Sequence, residues 1–226
     1  SVVIPCLRNA PDLKSVLSRV PSYIDEVIVV LDLQSGECTA ERMGVEGVRF
    51  ICEDVRGSGS AYRTALMQAK GDIIVSLDGD HLFPVDSVSY LLEILLHSNV
   101  RFVSGSRFPL GNKKAMSFEY WLGNRILSLI FSLLYFRWVS DSQSGVWIFE
   151  RSILNEVNLI GDMLELCEEL KIEAIRNPNI GFMEVYLDFS NRSVEIRLRP
   201  YRDGFHNLLF MIRKRFTRRP TRQRLQ

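Results

Sequence analysis

One stretch of the sequence, residues 71–84, limits the possible folds of the chain more than any other. An apolar run at 73–77 is followed at once by two carboxylates that stand one residue apart, Asp78 and Asp80. A short apolar run bounded by polar residues predicts a parallel strand that is covered on both faces. Because ligands bind at the carboxyl ends of such strands, we expect Asp78 and Asp80 to lie at a ligand-binding crevice.

Two carboxylates at the end of a buried strand are suitable ligands for a divalent metal ion. Mg²⁺ and Mn²⁺ prefer hard oxygen ligands and are often shared with the phosphates of a substrate. Aspartate is also a common turn residue. Asp78 and Asp80 by themselves therefore leave a metal site and a simple turn equally open, and the surrounding sequence has to decide between them.

Strand and helix patterns alternate along the chain. Short apolar runs predict strands at 1–5, 25–31, 48–52, 73–77, 101–104, 145–150 and 184–188. Apolar residues at helical spacing predict helices at 11–20, 61–69, 85–96 and 160–170. This alternation predicts an α/β fold with a mostly parallel, Rossmann-like sheet flanked by helices.

The overall charge excludes few partners, but the end of the chain is basic. The 226 residues are 46% hydrophobic and 24% charged, as in an ordinary folded protein, and the net charge is only +1. Residues 213–224 contain seven arginines and lysines and no acidic residue. Basic tails also bind nucleic acid, but the sequence has no recognition motif with interleaved aromatic residues, so no nucleic-acid partner is predicted.

The cysteines predict no metal site. They are widely spaced and form no Cys-x-x-Cys pair: Cys6, Cys38, Cys52 and Cys167. Free, mostly buried thiols in a reducing compartment are the prediction. The sequence shows no signal-peptide pattern and begins with Ser1, which indicates that a starting segment is missing. We therefore expect a cytoplasmic protein.

A predicted helix at 121–138 is apolar on nearly all sides. Its polar residues form one thin stripe: Asn124, Ser128 and Ser132. Such a helix is either buried or in lipid. Arg125 and Arg137 leave an uncharged run that is too short to span a bilayer comfortably. An interfacial helix among the lipid headgroups is favoured, and a core helix stays open as the alternative.

A second amphipathic helix is predicted at 205–216. It carries Phe205, Leu208, Leu209 and Ile212 on one face and leads into the basic tail. A helix of this kind, followed by arginines, can dock on anionic lipid. A solvated chain terminus is the alternative.

Seven motifs in the sequence resemble, in their order and spacing, those of one family. They are VVIPCL at 2–7, EVIVV at 26–30, RGSGSA at 56–61, GDIIVSLDGD at 71–80, GSRF at 105–108, SDSQSG at 140–145 and LRPYRDG at 198–204. The family is the inverting family 2 glycosyltransferases of GT-A fold. Within it, the chain resembles the branch of the dolichyl- or polyprenyl-phosphate mannosyl- and glucosyltransferases.

The resemblance covers residues 1 to about 215 and implies a single GT-A domain over 1–215. The part that binds the nucleotide sugar would be about 1–108, and the acceptor part about 109–204. An amphipathic helix and a basic tail would follow at 205–226.

The resemblance also implies that a nucleotide-sugar donor binds at the strand ends. Pro5, Leu7 and Asn9 fall where the family's first loop touches the base. Asp32 falls at the acidic position that holds the base or the ribose. Arg56 precedes a glycine-rich helix start, where backbone N–H groups and the helix dipole favour an anion.

The residues implied for catalysis and for the phosphates lie in four of the motifs or, for Arg197, directly beside one. Asp78 would face the ribose or the metal, and Asp80 would bind the Mg²⁺ or Mn²⁺ that bridges the diphosphate. Arg107 matches the family's phosphate-binding arginine. Arg197 and Arg199 match basic positions near the donor and acceptor phosphates. Such an ion and arginine charge would stabilise the leaving diphosphate.

Asp141, in the SDSQSG motif, is a third candidate catalytic residue beside Asp80 and Arg107. It could orient the acceptor or the sugar, complete the metal shell, or cap a turn. If the acceptor were a hydroxyl, Asp141 would be the candidate general base.

Three positions depart from the family's pattern. The family often has Asn-Glu where this chain has Arg8 and Asn9, and two adjacent aspartates where this chain has one, Asp32. Some members of the lipid branch have a glutamine metal ligand where this chain has Leu82, beside His81. Because Mg²⁺ prefers oxygen ligands, we expect His81 to be structural and the donor's oxygens to complete the metal site.

The predicted function is inverting transfer of a hexose from a donor of the GDP-mannose or UDP-glucose type to dolichyl or polyprenyl phosphate. The enzyme would be peripheral at the cytoplasmic face of a membrane. A lipid phosphate is already ionised at neutral pH, so no strong general base is required. The alternatives are a soluble metal-dependent glycosyltransferase with a sugar or small-molecule acceptor, and a non-catalytic nucleotide-binding module.

Overall fold

The computed structural model of the chain describes residues 1–6, 13–33, 45–54, 58–77, 85–112, 116–161, 165–188 and 200–217. Seven strands in these ranges form one sheet. They are β1 (Val2–Cys6), β2 (Val27–Asp32), β3 (Val48–Glu53), β4 (Ile73–Ser76), β5 (Phe102–Ser106), β6 (Trp147–Glu150) and β7 (Met183–Tyr186). Their order across the sheet is β3-β2-β1-β4-β6-β5-β7.

The sheet is parallel except at one strand. Neighbouring pairs among β3, β2, β1 and β4 are parallel, as is the pair of β5 and β7. Strand β6 runs antiparallel to both of its neighbours, β4 and β5. The other six strands therefore end at the same edge of the sheet, and β6 begins there. This arrangement confirms the predicted mostly parallel sheet.

Helices cover both faces of the sheet. They are α1 (Leu13–Arg19), α2 (Ser58–Gln68), α3 (Ser87–His97), α4 (Phe118–Tyr135), α5 (Glu165–Arg176) and α6 (Pro200–Phe216), with a short 3₁₀ helix at Arg151–Asn155. Because side chains alternate along a strand, Val3 packs into one apolar core and its neighbours Val2 and Ile4 pack into the other.

Helix α4, Phe118–Tyr135, begins and ends three residues earlier in the sequence than the predicted helix at 121–138. It begins after Ser117, whose side chain accepts a hydrogen bond from the backbone N–H of Tyr120 at 3.5 Å. It ends at Phe136, which adopts a left-handed conformation with φ of 52°. In the described residues no helix is long and apolar enough to cross a membrane.

Helix α5 begins later than the predicted start at residue 160. The backbone N–H groups of Ile160 and Gly161 donate to the carboxylate of Glu169 at 2.9 and 2.8 Å. These bonds hold the residues ahead of the helix in a non-helical conformation.

The expectation of free cysteines is wrong at Cys52, which is disulfide-bonded. Spacing along the chain carries no information about distance in the fold, so the sequence could not reveal this bond. Cys167 is free and buried, as expected.

Candidate active site

The described residues include only some of the predicted site residues. Those that are described are Pro5, Asp32, Arg107 and Asp141. Those that lie outside the described residues are Leu7, Asn9, Arg56, Asp78, Asp80, Arg197 and Arg199. Strand β4 ends at Ser76, so the chain leaves the sheet two positions ahead of Asp78.

The four described residues lie at the edge where the parallel strands end. Pro5 is buried in β1, and Asp32 is the half-buried last residue of β2. Arg107 follows β5, and Asp141 lies in the loop that precedes β6. Strands β2 and β5 are four positions apart in the sheet, or about 19 Å at the usual strand spacing. The structure thus separates Asp32 from Arg107 and brings Arg107 and Asp141 together.

Arg107 and Asp141 form a buried, bidentate ion pair. Arg107 Nε donates to Asp141 Oδ2 at 2.6 Å, and a terminal guanidinium nitrogen donates to Oδ1 at 2.7 Å. The backbone N–H of Arg107 also donates to Oδ2, at 3.0 Å. The same terminal nitrogen donates to Asn124 Oδ1 at 3.2 Å, which ties the pair to α4. Two parallel bonds of this kind fix the plane of the guanidinium group.

Asp141 is ionised in this arrangement. Burial raises the pKa of its fully buried carboxyl, but the charge and hydrogen bonds of Arg107 outweigh burial and hold the pKa below its ordinary value. A carboxylate with three hydrogen bonds from one arginine and no exposed surface is better placed to orient that arginine than to remove a proton from an acceptor.

The loop at 140–145, which contains Asp141, is bound by side chains from several elements. Glu184 of β7 accepts from the backbone N–H groups of Ser140 and Asp141 at 2.7 and 3.0 Å. Ser128 of α4 accepts from the backbone N–H of Ser142 at 3.0 Å. These contacts satisfy three successive amides that no regular secondary structure would bind.

Lys171 of α5 binds the carbonyl groups of the same loop. Its fully buried Nζ donates to the carbonyl oxygens of Asp141, Ser142 and Ser144 at 2.9, 3.0 and 2.7 Å. The sequence predictions did not include Lys171 or Glu184. Their roles depend on contacts between distant elements, and no local pattern indicates them.

The loop is also tied to the end of β4. Ser76 Oγ donates to the carbonyl oxygen of Gly145 at 2.7 Å and shares a second hydrogen bond with Tyr62 Oη at 2.8 Å. Ser76 is the last residue of the strand that leads to Asp78. One serine side chain therefore joins the loop to the strand that precedes Asp78 in the sequence.

Arg125 is a second cation beside Arg107. Its guanidinium carbon lies 5.4 Å from the ring centre of Phe108, and that of Arg107 lies 5.7 Å from the same centre. Arg125 also donates to the carbonyl oxygen of Ser140 at 3.2 Å. One feature of the sequence could have indicated a role for Arg125: it is an arginine within an otherwise apolar helix.

A polar chain connects the loop to α5 and α6. Gln143 Nε2 donates to Glu168, and Asn207 Nδ2 of α6 donates to Gln143 Oε1 at 2.7 Å. Burial raises the pKa of Glu168 to about 8, although the hydrogen bond from Gln143 and the charge of Lys171 act against it. At neutral pH the carboxyl of Glu168 is therefore mostly protonated.

Within the described ranges, no group of three or more His, Cys, Asp or Glu side chains could hold a metal ion. The predicted metal ligands Asp78 and Asp80 lie outside these ranges.

Comparison with known proteins gives the family and several relatives. The family model for glycosyl transferase family 2 matches residues 1–157. A UDP-N-acetylglucosamine–dolichyl-phosphate N-acetylglucosaminyltransferase of Methanococcus voltae is 32% identical over 217 residues, covering 84% of this chain and 86% of that protein. A dolichyl-phosphate hexose transferase of Haloferax volcanii is 26% identical, with 90% and 88% covered.

A third relative is longer than this chain. The low-salt glycan biosynthesis hexosyltransferase Agl6 of Haloferax volcanii is 25% identical over 220 residues, which are 94% of this chain but 52% of that protein. The chain thus spans about half the length of this relative.

Solved structures share the fold. Glucosyl-3-phosphoglycerate synthase of Mycobacterium tuberculosis, solved with Mn²⁺, UDP and phosphoglyceric acid, superposes with a TM-score of 0.71 at 21% identity, covering 95% of this chain and 77% of that one. Mannosyl-3-phosphoglycerate synthase of Rubrobacter xylanophilus gives a TM-score of 0.71 at 17% identity, with 98% and 77% covered. These similarities confirm the predicted GT-A fold.

The family model covers more than half of the chain, and the Methanococcus relative extends the similarity beyond it. The predicted enzyme class, a nucleotide-sugar-dependent glycosyltransferase, is confirmed with the family. The chain belongs to glycosyl transferase family 2.

Proposed function

We propose that this protein transfers a hexose, with inversion, from a nucleoside-diphosphate sugar to a polyprenyl or dolichyl phosphate at a membrane surface. The observation that carries the proposal is the orientation of α4, whose polar stripe faces the protein and whose apolar side faces outwards. Two relatives support the acceptor class, because the names of both enzymes include dolichyl phosphate.

The exposed side of α4 is apolar, unlike that of an ordinary surface helix, while its buried side carries Ser128 and Ser132 together with Phe131 and Tyr135. Ser128 and Ser132 are 2% and 8% exposed and bind the backbone N–H groups of Ser142 and Val139, whereas Leu129 and Leu133 are 50% and 66% exposed. The exposed large apolar side chains of α4 and the residues that follow it are Phe118, Trp121, Leu122, Ile126, Leu129, Leu133, Phe136 and Trp138. These residues, together with Phe205, Leu209, Ile212 and Phe216 of α6, are called the apolar face.

Helix α6 extends the apolar face. It packs against α4, and Tyr135 Oη donates to the carbonyl oxygen of Met211 at 2.8 Å. Its exposed apolar side chains are Phe205, Leu209, Ile212 and Phe216. Arg215 lies 5.3 Å from the ring centre of Phe136, and Arg213 is exposed on the same helix. A large apolar surface with cations beside it fits the headgroup region of an anionic bilayer.

The apolar face lies next to the acceptor side of the site. Asn124 and Arg125, on the same helix as Leu129, contact Arg107 and the loop at 140–145. A lipid whose tail remained in the bilayer would thus have its phosphate brought to these cations. In the proposal, Arg107 and Arg125 offset the charge of the acceptor phosphate, with Arg197 and Arg199 as further phosphate-binding residues.

A phosphate acceptor also fits the state of Asp141. The acceptor oxygen is already ionised, so the reaction needs no group to remove a proton from it. Asp141 can then remain paired with Arg107 throughout and hold its guanidinium group in place. A hydroxyl acceptor would instead require a base that this buried, arginine-bound carboxylate does not readily supply.

On the donor side, the proposal keeps the roles implied by the family. Pro5, Leu7, Asn9, Asp32 and Arg56 would bind the base, the ribose and the phosphates. Asp78 and Asp80 would hold Mg²⁺ or Mn²⁺, whose preference for hard oxygen ligands their carboxylates meet. A bound ion would stabilise the charge on the leaving diphosphate. Peripheral binding at the cytoplasmic face, and one domain with a donor part and an acceptor part, complete the proposal.

Incubating the protein with Mn²⁺, polyprenyl phosphate in vesicles and a panel of labelled nucleotide sugars tests the proposal. Labelled lipid is expected with at least one donor, and Asp80→Asn should abolish its formation. Asp86→Asn is the matched control, since Asp86 is an exposed carboxylate that pairs with Arg19. Transfer to a water-soluble acceptor alone would contradict the lipid acceptor, and no transfer from any donor would contradict the whole proposal.

A further inference from the structure

We infer that Lys171 is a positioning residue of the active site, which sets the conformation of the loop at 140–145 and, through Asp141, the orientation of Arg107. Nothing in the family resemblance assigns a role to this residue. The inference rests on the proposed function for its catalytic meaning, but the contact of Lys171 with the loop can be tested separately.

The first argument is the number of bonds that end on Lys171 Nζ. Three carbonyl oxygens of one short loop converge on this single nitrogen within 3.0 Å. Among the described hydrogen bonds, the loop contributes to its own backbone only one long contact, from Ser144 N to Asp141 O at 3.5 Å. An ammonium group has three hydrogens, so its full donor capacity is used to fix the path of this segment.

The second argument is charge. An isolated ammonium group is costly to bury, and burial lowers the pKa of Lys171 while the charges of Asp141 and Glu184 act in the opposite direction. The charges around the loop offset one another, since Arg107 and the buried Lys171 face the buried Asp141 and the half-buried Glu184. A methionine of similar size would avoid the cost of burial in an apolar site, so the lysine is explained by the carbonyl groups that it binds.

The third argument is that the two ends of the loop have different partners. Glu184 accepts from the N–H groups of Ser140 and Asp141 at its start, and Lys171 donates to carbonyl groups farther along, from Asp141 to Ser144. Without Lys171, these three carbonyls lose their charged donor and the loop must shift to reach others. Asp141 would move with it, and a displacement of about 1 Å in a positioning group can cost about 10²-fold in rate.

The chain offers a matched control at a second buried lysine. Lys214 of α6 is 4% exposed and donates to Glu169 at 2.6 Å and to the carbonyl oxygen of Asn158 at 2.8 Å. It also pairs with Glu173 at 3.0 Å. Its described hydrogen bonds include none to the loop at 140–145.

The experiment compares Lys171→Met and Lys214→Met by hydrogen exchange of the peptide that spans 139–147 and by steady-state kinetics per folded enzyme. For Lys171→Met we expect at least about tenfold faster exchange in the loop. We expect kcat to fall about 10²-fold while KM for the nucleotide sugar changes less than about threefold. Lys214→Met should leave exchange in the loop and kcat close to those of the wild type.

Because Lys171→Met alone leaves excess negative charge around the loop, the balanced double variant Lys171→Met with Glu184→Gln is measured as well. If Lys171 acts only through charge balance, the double variant recovers kcat together with stability, and the inference is overturned. The inference is also overturned if the loop of Lys171→Met exchanges its amide hydrogens as slowly as the loop of the wild type. If the wild type transfers no sugar, the proposed function fails, and loop exchange still decides whether Lys171 positions the loop.

Discussion

The guanidinium group of Arg107 and the carboxylate of Asp141 meet in the plane of a bidentate ion pair, although the two residues are 34 positions apart in the sequence. The pair joins the end of β5 to the loop that enters β6, so it fixes this loop relative to the sheet. Four predictions concern this pair, the buried Glu168, the apolar face and the buried Lys214.

Asp141→Asn should lower both stability and activity. The substitution leaves the largely buried Arg107, whose side chain is 14% exposed, without its counter-ion, and breaking a buried pair typically costs about 3–5 kcal/mol. The free energy of unfolding in urea and the rate of sugar transfer measure the two effects. Arg19→Ala is the control, because the exposed Arg19–Asp86 pair should contribute only about 0–1 kcal/mol. Equal losses in both variants would contradict the role given to the buried pair.

Glu168→Gln should flatten the pH dependence of stability. The folded-state pKa of Glu168 is raised from 4.5 to about 8, so the stability tied to its protonated form is fully present below pH 4.5 and is lost as pH rises through about 8. Relative to the wild type, the variant should gain stability between pH 5 and pH 9. Thermal unfolding across this range measures the gain, with the exposed Glu93→Gln as control. A constant difference between variant and wild type at all pH values would refute the raised pKa.

Replacing Leu129 and Leu133 together by Asp should weaken binding to anionic vesicles. Both side chains are at least half exposed on the apolar face, and each buries apolar area worth about 1.5 kcal/mol when it enters the lipid. The loss of both corresponds to a decrease in affinity of about 100-fold. Co-sedimentation with vesicles measures it, and Leu96→Asp is the control because Leu96 is 63% exposed on α3. Undiminished vesicle binding would show that another surface meets the membrane.

Lys214→Met should destabilise the packing of α6 on α5. Lys214 pairs with Glu169 and Glu173, whose side chains are at most 4% exposed. Removing the lysine leaves these carboxylates without a cation, at a cost of about 3–5 kcal/mol in the free energy of unfolding. Adding Glu169→Gln should recover part of the loss, because it removes one of the stranded charges. Denaturant unfolding of the single and double variants measures both effects, and no recovery would argue against the pair as the cause.

Much of the sheet could be predicted from the sequence, but the direction of one strand could not. Alternating strand and helix patterns predicted the parallel strands β1 to β4 at nearly their observed positions. The run at 145–150 predicted a strand, and its apolar pattern contains nothing that distinguishes a parallel from an antiparallel neighbour. The insertion of β6 between β4 and β5 is decided by the connection through α4, which local patterns do not describe.

Single residues of the candidate site could be predicted from motifs, but contacts between two residues of the site could not. Arg107 and Asp141 were each found from a motif, but their bidentate contact required the fold. Along α5 the sequence predicted a helix at 160–170 and gave no sign that Lys171 and Glu169 are buried, because their partners lie on the loop and on α6. Helical spacing tells which residues share a face and does not tell what that face meets.

Strand β6 also determines when the site can come into existence as the chain is made. Ser76 of β4 pairs with Trp147 of β6, far along the chain, so the central strand keeps an unpaired edge until that later segment has been synthesised. The loop with Asp141 directly precedes this pairing and takes its place as β6 enters the sheet. A nascent chain that stops just short of β6 already contains the loop at 140–145 and the strands β1 to β4, but it lacks the strand pairing that holds this loop beside them.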